Sequence, residues 1–492
     1  MLPMSFNHPS SQLQTLNKPK NFQLIRNAFL SIQARISVHP YLCLFTSFLF
    51  IQALVFLITH TAPPSLPIRT FNPPPVAAVL SPDECRSGKV YVYDLPPMFN
   101  KDLLASCDDL DPWNWQCGII SNDGYGRRAT EFVGILPGNL ATTSYRTNQF
   151  SSEVIFHYRL LNYKCRTLDP ESATAFYIPF YAGLAVGKNL WRNDTKMRDW
   201  HCEMMLRWVL NQTYYQRANG SDHFITLSRI TWDFRRLTDP LKLWGSSFLN
   251  MPLMQNVTRF TIEKAPGDDY DVGVPYPTGF HPSSDSDVVQ WQSFVRNRNR
   301  SSLFTFIGAA RGSIENDFRA FLLSYCYNES DSCRVVDCAV TQCSNGTSAI
   351  LEALLDSKFC LQPKGDSYTR RSVFDCMVAG SVPVFFWKRT AYDQYDWFLP
   401  GEPESWSVFI DHEDVRNGTS IRDVLQRYSG EEVRRMREKV IESIPRIVYA
   451  RPGKGLEGFR DAFDIAVEGV LRRFKEQKEG RGVYAGEVGV RR

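Results

Sequence analysis

Between Phe359 and Phe386 the chain reads FCLQPKGDSYTRRSVFDCMVAGSVPVFF, and the residue types in its middle suit an anion. Lys364, Gly365, Ser367, Arg370 and Arg371 follow an apolar run and open onto a helical pattern that carries Asp375. A cationic, glycine-containing loop at a helix start offers free backbone N–H groups and guanidinium forks, a combination that favours a diphosphate. Asp375, one turn into the helix, is placed to accept from ribose hydroxyls. The competing reading is a solvated loop whose arginines are surface charges. Divalent-metal chemistry is the other option. Three Asp-x-Asp triplets exist, Asp109/Asp111, Asp269/Asp271 and Asp285/Asp287, but each has turn-forming neighbours and a chain this rich in Asp supplies several by chance, so no metal is expected.

Residues of this kind need a scaffold, and the hydrophobic pattern supplies one. Strands are expected at 90–95, 175–180, 224–228, 303–308, 359–363 and 382–386, and helices near 151–164, 197–217, 314–325, 347–356, 371–379, 431–442 and 457–474. Alternating strands and helices imply parallel sheets covered on both faces. Nearly 400 residues exceed one such sheet, so two α/β domains are expected, 85–290 and 291–474, with a boundary near the polar stretch 281–302. Ligands of such domains lie at the carboxyl ends of strands, so functional residues should follow strands. The Glu431–Glu442 segment reads as a solvated helix face, and 475–492, with four glycines and no apolar period, as a disordered tail.

The N-terminus sets the compartment. Residues 41–59 read YLCLFTSFLFIQALVFLIT without a charge, long enough to cross a hydrocarbon core of about 30 Å as a helix. No small-residue cleavage site follows, so 41–60 is expected to be a retained anchor. Lys18, Lys20, Arg26 and Arg35 all precede it, which places 1–40 in the cytosol and the remainder in a lumen. Residues 61–84, with seven prolines, read as an extended stem. With those four leader cations set aside from the 56 Lys and Arg, the rest balance the 52 Asp and Glu, which argues against nucleic-acid binding. The lumenal part carries eight N-x-S/T sequons, at Asn193, Asn211, Asn219, Asn256, Asn299, Asn328, Asn345 and Asn417, against about three expected by chance. It also holds eleven of the twelve cysteines, most of which should pair. Cys326, Cys333, Cys338 and Cys343 lack the C-x2-C spacing and His partner of a zinc site, so two local disulfides are expected there. An odd total leaves one thiol free, expected at Cys360 or Cys376.

Ordered blocks across 85–470 resemble the exostosin-like glycosyltransferases of family 47, in particular the plant branch that includes the xyloglucan galactosyltransferases. They are VYVYDLPPMFN at 90–100, YRTNQFSSEVIFHYRLL at 145–161, AFYIPFYAGL at 175–184, DHFITLSRITWDFRR at 222–236, DVGVPYPTGFHP at 271–282, LFTFIGAAR at 303–311 and the 359–386 block. The resemblance implies a type II Golgi membrane enzyme with two Rossmann-like domains of GT-B type facing across a cleft. Its reaction would move galactose from UDP-galactose to xylosyl side chains of xyloglucan with inversion, and its partners would be the UDP-sugar, a matrix polysaccharide and other glycosyltransferases. On the donor side it adds Gly308 and Arg311 to Lys364, Gly365, Ser367, Arg370, Arg371 and Asp375. The arginines would neutralise the UDP leaving group without a metal or other cofactor.

Such a transfer needs a general base for the acceptor hydroxyl. Asp94 and Asp233 follow expected strands, and Glu153 shares a helix face with His157, four residues on. Asp233 is the preferred base, with Arg229 and Trp232 as acceptor-binding neighbours, because an indole face packs against a sugar while a carboxylate takes its proton. His223 reads as structural. Trp113/Trp115 and Tyr392/Tyr395/Trp397 fit either a polysaccharide groove or core packing. Two alternatives to galactose transfer are a UDP-galacturonate or UDP-arabinose transferase on the same backbone and a non-catalytic scaffold subunit. A hydrolase leaves the phosphate-type loop unexplained.

Overall fold

The computed structural model describes residues 85–489 apart from 111–116, 119, 193, 237–243, 313, 342 and 344–346, with side chains through Glu479. The expected anchor and stem, Trp113, Trp115, Asp111, Asn193 and Asn345 lie outside the described residues. Among the described residues no helix is long and apolar enough to cross a membrane. The strands are β1 Val90–Val92, β2 Arg127–Arg128, β3 Tyr145–Arg146, β4 Arg166–Thr167, β5 Ala175–Ile178, β6 His223–Leu227, β7 Thr258–Thr261, β8 Asp271–Gly273, β9 Ser302–Gly308, β10 Cys333–Asp337, β11 Ser357–Gln362, β12 Val382–Phe385 and β13 Val408–Phe409.

These strands build an α/β protein with two parallel sheets and one small antiparallel pair, β2 with β3. The first sheet has the order β4-β1-β5-β6-β7-β8 and the second β10-β9-β11-β12-β13. Both therefore start with the same reversal, between β1 and β5 and between β9 and β11, the crevice where doubly wound sheets hold ligands. Apolar residues on both strand faces explain why each sheet is covered twice. In β5, Ala175 and Tyr177 enter one core cluster while Phe176 and Ile178 enter the other.

All six expected strands form. The expectation missed the antiparallel pair β2 and β3 and, in the parallel sheets, β4, β7, β8, β10 and β13, the last two because CRVVD and VF are short or charged. In β7 and β8 the charges pair with each other: Arg259 Nε donates to Asp271 Oδ1 at 2.6 Å, and both residues are buried. Tertiary pairing outweighed composition there. The expected 197–217 helix is two, Thr195–Leu210 and Thr213–Ala218, and the polar stretch 281–302 contains the helix Asp285–Asn297, started by a Ser284/Asp287 capping box. The helix Gly430–Ile447 buries Val433, Met436, Val440, Ile441, Ile444 and Ile447, leaving Glu431, Glu432 and Glu442 in solvent as expected.

Two buried arginines lock the layers. Arg300 points its guanidinium at the carbonyls of Leu354, Ser357 and Ala379, the ends of the helices Ser348–Asp356 and Arg371–Val378, where helix dipoles favour a cation. Arg159, on the helix Ser152–Leu161, pairs with Asp461 and Asp464 beside the start of the last helix, Ala462–Gly489. That helix thereby returns to the first sheet, where Phe463 packs on Phe156, and it continues beyond Arg472 into the stretch read as a disordered tail.

Disulfides join Cys326 to Cys333 and Cys338 to Cys343, the two local bridges expected, and also Cys85 to Cys165 and Cys107 to Cys117. The free thiol is a correction. Cys360 and Cys376 are bonded to each other across β11 and the next helix, and the unpaired cysteine is Cys202, buried beside Ser246. Apolar surroundings did not distinguish a bonded pair from a free thiol. Of the described sequons, Asn211, Asn219, Asn299, Asn328 and Asn417 are exposed and Asn256 is partly so.

Candidate active site

At the reversal of the second sheet, β9 ends at Gly308 and β11 at Gln362, and the loops that follow bring cations together. A side chain at Gly308 would meet the ring of Phe306 at 2.9 Å, so glycine fits the strand end where the chain turns toward Arg311. The Arg311 main-chain N–H donates to Asp317 at 2.7 Å, and its Nη1 donates at 2.8 Å to Asp366, a residue whose side chain is 85% exposed. Arg370, in extended backbone at the N-cap of the helix Arg371–Val378, lies beside Arg311 and Arg319. Burial, then the charges of Arg319 and Arg311, pull its guanidinium down to about 10. Burial lowers Arg319 as well, with Arg311 adding to it.

The hydrogen-bond demand of this cluster is unmet. Arg311 Nε, Arg319 Nε, Arg370 Nη1 and Ser367 Oγ are all buried without a partner. Orphan buried donors are costly, and several on neighbouring cations suit an anion. Gly365 closes the loop by donating to the Ser367 carbonyl at 2.8 Å, and Lys364 stands exposed over the rings of Tyr368 and Trp387. Arg371 differs from its neighbour. Its Nε holds Asp375 at 3.0 Å and its Nη1 holds the carbonyl of Thr147, so it braces the helix rather than facing the crevice. Asp375 is thus engaged by Arg371, and burial pushes its carboxyl above the usual range.

The carboxyl ends of the two sheets meet. Beyond β7, Glu263 Oε2 accepts from Thr369 Oγ1 at 3.0 Å, and Tyr276, beyond β8, bonds the same hydroxyl at 3.1 Å. Lys264 N–H donates to Gln394 Oε1 at 2.7 Å, and Tyr395 donates to the Ile262 carbonyl at 2.9 Å. A Cβ on Gly273 would lie 1.9 Å from the Gln394 carbonyl oxygen, so only glycine permits this approach. Tyr392, Tyr395 and Trp397 belong to this packing, not to a groove.

The expected bases are placed as follows. Asp233 is buried after β6, and both its oxygens are in use: Arg229 Nε donates to one at 2.7 Å and Trp244 Nε1 to the other at 2.6 Å. It anchors its loop, and Arg229 is its partner and is also stacked on Phe150. Trp232 beside them is 65% exposed. Glu153 is wholly buried, with Oε1 accepting from the N–H groups of Gly183 and Ser228 at 2.6 and 3.0 Å, so it caps the helix Ala182–Asn189. Burial raises it to about 7. His157 faces the same segment, bonded to the Tyr181 hydroxyl at 2.9 Å, and burial lowers it to about 4. Asp94 is exposed after β1, three strands and so about 14 Å from β7. His223 is structural, held between Asp222 and Tyr93.

Sequence reading missed two residues, Arg319 and Glu263. Arg319 is hidden as the second residue of the helix Phe318–Asn328. Glu263 follows a strand and would have been found had β7 been recognised.

Of the Asp-x-Asp residues, Asp271 holds Arg235 and Arg259, Asp287 caps a helix and Asp285 accepts from Gly458 N–H at 2.8 Å. Among the described residues no three His, Cys or acidic side chains gather. A cavity of about 330 Å³ lined by Glu171, Arg217, Asp222 and Lys478 opens at the amino ends of β5 and β6, away from these groups.

Two doubly wound sheets whose carboxyl ends meet beside clustered arginines suit a transferase that holds a phosphorylated donor. The chain belongs to the exostosin GT47 domain family, whose profile matches residues 84–425. It is 60% identical to xyloglucan galactosyltransferase XLT2 of Arabidopsis thaliana over 81% of this chain and 77% of that protein. It is 39% identical to xyloglucan galactosyltransferase MUR3 of the same plant, over 82% of this chain and 65% of that protein. Xyloglucan-specific galacturonosyltransferase 1 of Arabidopsis thaliana is 37% identical over 80% of this chain and 58% of its own length.

Proposed function

We infer that the protein is a xyloglucan galactosyltransferase that moves galactose from UDP-galactose to xylosyl side chains of xyloglucan with inversion, in a GT-B arrangement with the donor held by the second sheet. The observation that carries the donor site is the set of orphan donors on Arg311, Arg319, Ser367 and Arg370. Guanidinium groups fixed before the reaction stabilise the charge that develops on the leaving diphosphate, the largest source of rate in such transfers. In this reading they do so without a divalent cation, while Arg371 and Asp375 shape the nucleoside end of the crevice. The galactose assignment is supported by 60% identity to one galactosyltransferase against 37% to a galacturonosyltransferase.

We further propose that the enzyme sits in the Golgi membrane as a single-pass type II protein with its catalytic part lumenal. Support comes from the uncharged 41–59 run, the leader cations before it, the exposed sequons and five disulfides, which an oxidising lumen permits. The test is turnover by the full chain in detergent, offered UDP-galactose, UDP-galacturonate or UDP-arabinose with xylosylated glucan oligosaccharides, with and without EDTA. Galactose transfer that survives EDTA is expected. Preference for another sugar would replace the donor assignment, and no transfer or UDP binding by folded protein would favour a scaffold.

A further inference from the structure

We propose that Glu263, rather than Asp233, Glu153 or Asp94, is the catalytic base that takes the proton from the acceptor hydroxyl; this rests on the galactosyltransferase reading above. Glu263 is the carboxylate that the first sheet presents where the second sheet's donor loop docks. Its Oε2 touches Thr369, the residue immediately before Arg370, and Tyr276 closes the same junction. A sugar attached to a diphosphate at Arg370 therefore lies next to this carboxylate. The other candidates fail on geometry: Asp233 spends both oxygens on Arg229 and Trp244, Glu153 is enclosed at a helix start, and Asp94 is three strands away.

The position is also held rigidly. Thr261 Oγ1 donates to the Glu263 carbonyl at 2.9 Å, and the next residue, Lys264, is clamped by Gln394. Pre-set placement on a strand end is what a base requires, since reach to the proton matters before basicity. Its environment suits the task as well. Burial raises the carboxyl above its ordinary range, opposed by Thr369 and Arg389 and reinforced by Asp233; Tyr276 and Tyr395 are the other titratable groups that feel it. In the step, the acceptor oxygen bonds to C1 of galactose as its proton passes to Glu263. The bond from C1 to the β-phosphate oxygen breaks, and its electron pair leaves with UDP toward Arg311, Arg319 and Arg370.

The experiment compares the full chain with its Glu263→Gln, Glu263→Asp and Asp233→Asn variants, measuring kcat with UDP-galactose and a xylosylated glucan oligosaccharide, and UDP affinity by calorimetry. Glu263→Gln is expected to lower kcat by at least about 100-fold with UDP affinity within threefold of wild type, and Asp233→Asn by less than tenfold. Glu263→Asp, charged but shorter, should keep UDP affinity and lose about tenfold or more in kcat, and it decides the matter should Glu263→Gln not fold. Near-normal kcat in either folded Glu263 variant overturns the assignment and leaves the function intact. No transfer by the wild type that still binds UDP overturns the functional reading instead.

Discussion

The crevices at the two sheet reversals are built from the same strand order and hold opposite kinds of charge. In the first, the carboxylates are engaged from within: Asp233 takes Arg229 and Trp244 on its two oxygens, and Glu153 takes two main-chain N–H groups on Oε1 while its buried Oε2 has no partner, burial favouring the protonated form. In the second, three arginines and a serine end in buried atoms with nothing to bond. A buried carboxyl can relieve its burial by taking a proton, whereas guanidinium groups crowded together stay charged and are relieved by an anion, so the second crevice is the one that suits a ligand.

The comparison can be strained at several points. The strongest concerns a cation that the fold itself pairs with carboxylates. Arg159→Met leaves Asp461 and Asp464 buried without their partner, and is expected to lower the free energy of unfolding by about 3–5 kcal/mol, read by urea denaturation, with UDP affinity of the folded protein unchanged. Loss of UDP affinity without loss of stability would erase the distinction between the two kinds of arginine.

Glu153 gives a pH signature next in size. Its folded carboxyl titrates at about 7, above the ordinary 4.5, so folding favours the protonated form. That stability is fully present below 4.5 and is lost as pH rises through 7, by up to about 3 kcal/mol. The wild type should therefore gain stability on acidification from pH 8 to 5, and Glu153→Gln should flatten much of that gain in melting curves. Identical slopes would show that Glu153 is not a neutral structural group.

In the unsatisfied crevice, Arg319→Ala is expected to weaken UDP binding by about tenfold, equivalent to about 1.4 kcal/mol, with melting temperature unchanged or raised in the absence of ligand because a buried like charge is removed. The smallest effect is at Asp366, the exposed carboxylate that competes for Arg311. Asp366→Asn should tighten UDP binding a few-fold, an amount typical of exposed ion pairs, and the gain should fade at high salt.

Much of this contrast was legible before the structure. The loop from Lys364 to Arg371 announced itself because cations, glycine and a helix start are local signals, and strands with apolar faces on both sides declared their sheets. What was hidden depended on pairing across the chain. β7 is TRFT, and nothing local says that Arg259 is neutralised by Asp271, so the strand and the Glu263 that follows it went unseen. The choice between Arg370 and Arg371 was likewise invisible, because it turns on whether Thr147, more than 200 residues away, supplies a carbonyl. The free thiol was expected at Cys360 or Cys376 for the same reason, since nothing local says that the two are bonded to each other.

The central claim is that Arg370, and not the adjacent Arg371, receives the donor diphosphate. Calorimetric titration of UDP into the wild type, Arg370→Ala and Arg371→Ala tests it most directly. The account predicts about a 100-fold weakening for Arg370→Ala, equivalent to about 3 kcal/mol for a charge-assisted contact, and less than tenfold for Arg371→Ala. Equal affinities, or the larger loss at Arg371, would contradict it.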